Sequence, residues 1–290
     1  MNPGTWIRAA AARLAAAGRE SSELEARRMA EAVLGLGPAQ LVLAAQRPLT
    51  DAELTHLERL VEGRLRHVPL QYLLGRAAFR QFELEVGPGV LIPRPETEGL
   101  VELALAFLRA PAARRAPRIL ELCVGSGAIL AALLFEHPAA SGVGVELSPA
   151  ALEFARRNLV AAGVAERAHL LDGDLYEPLP GAGVEPGFDL LVANPPYIPT
   201  PALAGLPEDV RRFEPELALD GGPEGIVVID RIVRGAARWL APGGGVALEI
   251  DESHGGRVRQ LLLGAGLVDV RLLDDAAGRP RYATAARGVD

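Results

Sequence analysis

Apolar positions along the chain follow three different rhythms. From residue 5 to about 66 they recur at helical spacing. Leu54, Leu57, Leu60, Val61 and Leu65 share one face of a helix that begins with the capping box Thr50-Asp51-Ala52-Glu53. Ahead of it, the Ala-rich segment 6–14 reads as a helix. So does the segment after Ser21-Ser22-Glu23-Leu24-Glu25, an N-cap with an acidic first turn, and Gly37-Pro38 stops it. From Phe79 to Val86 the pattern alternates with period two; Gly87-Pro88-Gly89 then turns and Val90-Leu91-Ile92 resumes, which predicts a β-hairpin. Pro93-Arg94-Pro95-Glu96-Thr97-Glu98 follows as a rigid entry to a helix over 99–109.

Beyond residue 117, short apolar runs alternate with helical patterns. Strands are expected near 118–123, 142–146, 167–171, 188–193, 245–250, 267–272 and 280–286, with helices near 128–136, 149–162, 223–240 and 254–264. Such alternation predicts an α/β fold with a mostly parallel sheet covered on both faces. The expected organisation is a helical domain over 1–77, a hairpin linker over 78–97 and an α/β domain over 98–290. The helical domain could serve stability or dimerisation, or be a platform for a macromolecular substrate.

Composition narrows the class. With 290 residues, 49% of them apolar and 23% charged, the chain has ample material for a core. It has no window of 18 uninterrupted apolar residues and no basic-apolar-small leader pattern, so a cytoplasmic protein without a membrane span is expected. The single cysteine, Cys123, rules out an internal disulfide and a Cys-rich metal site. Every one of the 30 basic residues is arginine, which we read as source bias. Residues 1–80 carry 11 Arg against 8 acids, a net +3, and residues 81–290 carry 19 against 29, a net −10. No strong basic patch is visible, which argues against gripping duplex nucleic acid by its phosphates.

Candidate chemistry sits at the ends of the strands. The strand over 188–193 runs into Asn194-Pro195-Pro196-Tyr197, where the two prolines remove two N–H donors and stiffen the loop. What remains is a primary amide, backbone carbonyls and a phenol ring, a clamp for a planar nitrogen group; the plainer reading is a Pro-rich turn with a bland Asn. The first strand ends in Glu121-Leu122-Cys123-Val124-Gly125-Ser126-Gly127 and opens a helix, a turn that suits a ligand's close approach or merely a tight corner. Glu146 ends the next strand about 20 residues past the glycines, where a carboxylate meets a ribose diol; otherwise it is an acid at a helix start. Asp174, after the third strand, is placed to accept from an adenine amino group, with Leu175 against the ring.

These strand ends, together with Pro69-Leu70-Gln71-Tyr72-Leu73-Leu74-Gly75, Leu91-Ile92-Pro93-Arg94-Pro95-Glu96-Thr97-Glu98, Gly173-Asp174-Leu175-Tyr176-Glu177-Pro178-Leu179 and Asp220-Gly221-Gly222-Pro223-Glu224-Gly225, resemble the HemK-like release factor glutamine methyltransferases. The resemblance implies a Rossmann-like seven-stranded class I methyltransferase sheet with the last strand antiparallel, a helical N-terminal substrate-binding domain and a connecting β-hairpin. It implies S-adenosylmethionine as methyl donor, held by Glu121, Leu122, Cys123, Val124, Gly125, Glu146, Asp174, Leu175 and Asn194. The methyl acceptor would be the glutamine amide of the Gly-Gly-Gln loop of class 1 peptide-chain release factors. Asn194, Pro195, Pro196 and Tyr197 would bind it, with Asn194, Pro195 and Tyr197 catalytic, Tyr197 packing on the amide face. No metal and no direct nucleic-acid contact are implied, and a monomer is expected. Two departures stand out: Cys123 replaces the usual glycine and Glu121 the usual aspartate. Ribosomal-protein glutamine methylation, adenine-N6 methylation of DNA or RNA, and a cofactor-binding scaffold without catalysis stay open as alternatives.

Overall fold

The structure, a computed structural model, describes residues 1–110 and 114–289; 111–113 and 290, inside the expected α/β domain, lie outside the described residues. The chain folds into two compact units, one comprising residues 1–76 with 207–213, the other 77–206 with 214–290.

The helical unit contains α1 (Pro3–Ala16), α2 (Ser22–Leu34), α3 (Pro38–Leu43), α4 (Asp51–Leu65) and α5 (Leu70–Leu74). Trp6, Leu14, Met29, Leu57 and Val61 form its core. The capping box is made: Thr50 Oγ1 accepts from the Glu53 N–H while Glu53 returns a carboxylate oxygen to the Thr50 N–H. Ser21, by contrast, makes no side-chain cap on α2.

A two-stranded sheet, β1 (Arg76–Phe79) and β2 (Phe82–Glu85), opens the next stretch. This corrects the expected hairpin. The chain turns at Arg80-Gln81, with Arg80 at φ +50°, and residues 87–92 form no strand. The physical reason lies in Asn158, whose side chain accepts from the Glu85 N–H (2.7 Å) and donates to the Glu85 carbonyl (3.0 Å). Those bonds satisfy the backbone where a third strand would otherwise pair. Gly87 and Gly89 then pass so close to Phe154 and Ala150 that a Cβ at either would sit 3.1–3.2 Å from them.

Next come α6 (Pro95–Leu108), β3 (Arg118–Leu122), α7 (Ala128–Glu136), β4 (Ser141–Glu146), α8 (Pro149–Ala161), β5 (Ala168–Asp172), α9 (Pro178–Gly181) and β6 (Phe188–Ala193). After α10 (Glu208–Phe213) follow α11 (Val227–Trp239), β7 (Leu240–Glu249), α12 (Gly255–Gly264), β8 (Leu267–Asp274) and β9 (Pro280–Arg287). α6 starts four residues earlier than expected, because Pro95 occupies its first turn, where a missing N–H is harmless. α11 starts later than 223, since residues 220–226 form a glycine-bearing turn in which Gly222 and Gly225 hold φ +89° and +69°.

The seven-stranded sheet runs β5-β4-β3-β6-β7-β9-β8. β3, β4, β5, β6 and β7 pair in parallel, and β9 is antiparallel to both neighbours, as the resemblance implied. The central strands are buried on both faces, which is why β3 and β6 read as near-continuous apolar runs. α7, AILAALLFE, is apolar all round over residues 128–134 because all seven are buried. No helix among the described residues is long and apolar enough to cross a membrane.

Candidate active site

The chain lays down β3, β4 and β5 in one direction, then returns to place β6 on the other side of β3. That reversal opens a crevice beyond the carboxyl ends of β3 and β6, where open α/β sheets bind ligands. A cleft lies there, and Cys123, Gly125, Glu146, Asp174, Leu175, Asn194 and Pro196 all line it. Four separate strand ends thus converge on one space. Glu121, Leu122 and Val124 do not line it; they are buried beneath its floor.

The floor loop is shaped by left-handed backbone at Cys123 (φ +60°), Gly125 (+56°) and Gly127 (+79°). The glycines serve different ends. A Cβ on Gly127 would lie 3.1 Å from the Ala155 backbone, so this glycine lets α7 pack on α8, whereas a Cβ on Gly125 would meet nothing within 4 Å. Gly125 therefore leaves its backbone open to a ligand. Cys123 takes a conformation that disfavours a side chain by about 1–2 kcal/mol, the physical content of its departure from glycine. Burial, with Glu146 and Glu121 nearby, pushes its thiol pKa well up, so the sulfur is a neutral filler with no thiolate character.

Glu146 ties the first two strand ends together. Its Oε2 accepts from the Gly125 N–H and its Oε1 from the Ser148 N–H, each at 2.8 Å. Each oxygen keeps a further lone pair for a ligand hydroxyl. Burial raises its pKa, and the Gly125, Ser148 and Leu147 N–H groups partly offset that. Glu121 is fully buried and neither of its oxygens makes a hydrogen bond of ordinary geometry. Desolvation drives its pKa well up, against a lesser opposing pull from the Leu130 N–H. Asp174 is engaged by Arg231 of α11, whose Nη2 donates to Oδ2 at 2.8 Å, so the carboxylate expected to meet an adenine amino group shares its oxygens with a guanidinium.

At the end of β6 the Asn194 side chain is half-buried and Pro195 buried. Asn194 Nδ2 donates to Thr97 Oγ1 (3.1 Å), and Thr97 Oγ1 donates to Glu249 Oε2 (2.8 Å). The Tyr197 hydroxyl donates to the other oxygen of the same carboxylate, Oε1, at 3.2 Å. Tyr197 and Pro195 do not line the cleft. Burial and the neighbouring Glu249 push the Tyr197 pKa up, so the phenol keeps the proton it donates. Among the described residues no donor approaches Asn194 Oδ1, which remains an acceptor at the cleft wall.

Thr97, Glu249 and Arg231 were not singled out from sequence. Thr97 lay inside the quoted Pro93-to-Glu98 stretch, whose polar residues each turn out to hold something. Arg94 pairs with buried Glu214 at 2.5 Å, Glu98 accepts from the Arg80 N–H, and the Glu96 carbonyl accepts from the Tyr282 hydroxyl at 2.6 Å. Glu249 carried a usable signal: an acid ending the apolar run Val246-Ala247-Leu248, the same signature as Glu121 and Glu146.

The comparisons with known proteins fit this geometry. Residues 5–75 match the family model for the PrmC N-terminal domain and residues 102–202 that for the methyltransferase small domain. A release factor glutamine methyltransferase of Mycolicibacterium smegmatis is 43% identical over 98% of this chain and 97% of its own length. One of Bradyrhizobium diazoefficiens is 40% identical over 97% and 93%. The chain belongs to the release factor glutamine methyltransferase family. Among solved structures, a methyltransferase from Pyrococcus furiosus superposes with a TM-score of 0.51 at 21% identity, covering 73% of this chain and 91% of that one. A T. thermophilus 16S rRNA methyltransferase, solved with AdoMet and guanosine, superposes at 0.52 with 24% identity over 73% and 49%. Both likenesses concern the fold. Asn194 and Pro196 of the tetrapeptide line the same cleft as Gly125.

Proposed function

We infer that this chain transfers a methyl group from S-adenosylmethionine to the side-chain amide N5 of the glutamine in the Gly-Gly-Gln loop of class 1 peptide-chain release factors, acting in the cytoplasm as a monomer. The observation that carries the reading is the Asn194 amide. It is held from behind by Thr97, with its oxygen left as an acceptor on the wall of a cleft that also presents Gly125, Glu146 and Asp174. The cleft residues suit an adenosyl ligand: Gly125 yields its backbone, Glu146 keeps lone pairs for a diol, and Leu175 offers an apolar wall.

When bound, S-adenosylmethionine supplies an electrophilic methyl group on a sulfonium centre. The chain's own part is positioning. A carboxamide nitrogen is a poor nucleophile because its lone pair is delocalised into the carbonyl. Asn194 Oδ1 accepts one of its N–H bonds and orients it, and the stiff Pro-Pro backbone beside it keeps that acceptor from drifting. Orientation of this kind contributes up to about 7–11 kcal/mol in intramolecular models. Acceptor oxygens also favour the positive charge that develops on nitrogen. Residues 1–77 form the surface that receives the release factor, with the β1–β2 hairpin and the segment that follows it linking that surface to the catalytic domain over 98–290.

A radiolabelled methyl-transfer assay tests this. Release factor should take up label and its loop Gln→Ala variant should not. Label on ribosomal protein or DNA, with none on release factor, would overturn the reading.

A further inference from the structure

Resting on that reading, the network behind Asn194 determines what kind of group the clamp accepts. β6 and β7 run in parallel with Ala193 opposite Leu248, so the next residues, Asn194 and Glu249, lie side by side at the carboxyl ends of the two strands. Thr97, from the first turn of α6, is inserted between them. Glu249 is 1% and Thr97 4% exposed, so water does not compete for these bonds.

Proton counting then sets the direction of the chain. Both oxygens of Glu249 accept, one from Thr97 and one from Tyr197, so it has no proton to give back, and a threonine hydroxyl carries one proton. Having donated that proton to Glu249, Thr97 offers Asn194 nothing but lone pairs. Only the Nδ2 end of Asn194 can face it, which sends Oδ1 toward the cleft. The reversed amide would set Oδ1 against a hydroxyl oxygen with no proton between them, and would present N–H donors where the substrate's own N–H donors arrive. Tyr197 donates to the second oxygen of Glu249, so one carboxylate anchors both ends of the tetrapeptide.

We propose that Glu249, acting through Thr97, is a positioning residue that fixes the polarity of the Asn194 amide. The site thereby receives the nitrogen of a carboxamide and rejects its carbonyl oxygen or a glutamate carboxylate. The same polarity keeps the substrate amide from binding turned over, with oxygen where nitrogen should be.

Thr97→Val, Thr97→Ser and Glu249→Gln should be compared with the wild type on release factor, measuring kcat, KM for each substrate and cofactor affinity by calorimetry. Valine removes the relay at nearly constant volume and should lower kcat by about 100-fold, the scale of a misplaced reacting group, while S-adenosylmethionine binds within about twofold of wild type. Serine keeps the hydroxyl and should recover most of the loss. The amide introduced by Glu249→Gln can accept from Thr97 with one end or donate with the other, so this variant should fall between serine and valine. Wild-type kcat in Thr97→Val, serine as impaired as valine, or loss of cofactor affinity in step with kcat would overturn the proposal.

A measurement free of turnover separates this failure from a wrong substrate assignment. In 15N-labelled protein one Asn194 Nδ2 proton should be protected from solvent exchange in the wild type and Thr97→Ser and unprotected in Thr97→Val. Equal exchange in all three overturns the polarity argument whatever the substrate. If the protons behave as stated while wild-type protein leaves release factor unlabelled, the substrate assignment fails and the polarity stands.

Discussion

Glu121 offers a stability measurement whose sign is unusual for a carboxylate. Its side chain is fully buried, both oxygens lack hydrogen bonds of ordinary geometry, and desolvation raises its pKa well above the ordinary 4.5. Above pH 4.5 the unfolded chain releases this proton while the folded chain keeps it. The folded state then binds more protons, and stability falls as pH rises until the folded pKa is passed. Glu121→Gln substitutes a neutral group of nearly the same size and removes the effect. The two proteins should have similar stability at pH 4.5 and below. Above that, the variant's advantage should grow with pH, by at most about 1.4 kcal/mol per pH unit, for as long as the folded carboxyl keeps its proton. Glu146 and Glu249, also raised, are present in both proteins, so subtracting the two curves leaves mainly the Glu121 contribution. Urea denaturation between pH 4.5 and 8, followed by Trp239 fluorescence, reads the α/β unit; Trp6, the chain's other tryptophan, lies in the helical core and is replaced by Phe in both backgrounds. A difference that stays flat with pH, or that widens as pH falls, would refute the reasoning.

Other outcomes follow from the same packing. Asn194→Ala should collapse turnover while calorimetry finds cofactor binding largely kept; retained turnover would remove Asn194 from the chemistry. Gly99→Ala places a Cβ 2.7 Å from Tyr282 Cζ and still nearer its hydroxyl, which donates to the Glu96 carbonyl. Overpacking of about 1–3 kcal/mol and the disturbed hydrogen bond, about 1 kcal/mol, should outweigh the helix-propensity gain of about 1 kcal/mol. A scanning calorimetry midpoint several degrees lower is expected, whereas a raised midpoint would mean propensity wins. The raised thiol pKa of Cys123 predicts labelling by a disulfide reagent at pH 8 far slower than free cysteine, and a rate near that of free cysteine would contradict the raised pKa.

Much of the catalytic unit was legible because its signals are local. Parallel central strands are buried on both faces, so β3 and β6 announce themselves as apolar runs. The residue that follows such a run must lie at the sheet's edge, which is why Gly125, Glu146, Asp174 and Asn194 could be placed on one side from the residue order alone. The hairpin was misplaced for the opposite reason. Strand-forming apolar residues resume at Val90-Leu91-Ile92, but whether they pair depends on Asn158, which lies 73 positions beyond Glu85 and takes the backbone bonds of that residue.

The sequence by itself therefore determined the fold class and the groups that stand at the strand ends, since period and strand boundary are properties of neighbouring residues. Only the tertiary structure decided how those groups are aimed. Thr97 lies 152 residues from Glu249 and 97 from Asn194, and Tyr197 lies 52 from Glu249. A hydrogen bond depends on separation in space and on which partner holds the proton, and neither is written in the spacing of residues along a chain. The Asn-Pro-Pro-Tyr stretch named an amide clamp; the direction in which the clamp faces comes from a buried carboxylate on the adjacent strand.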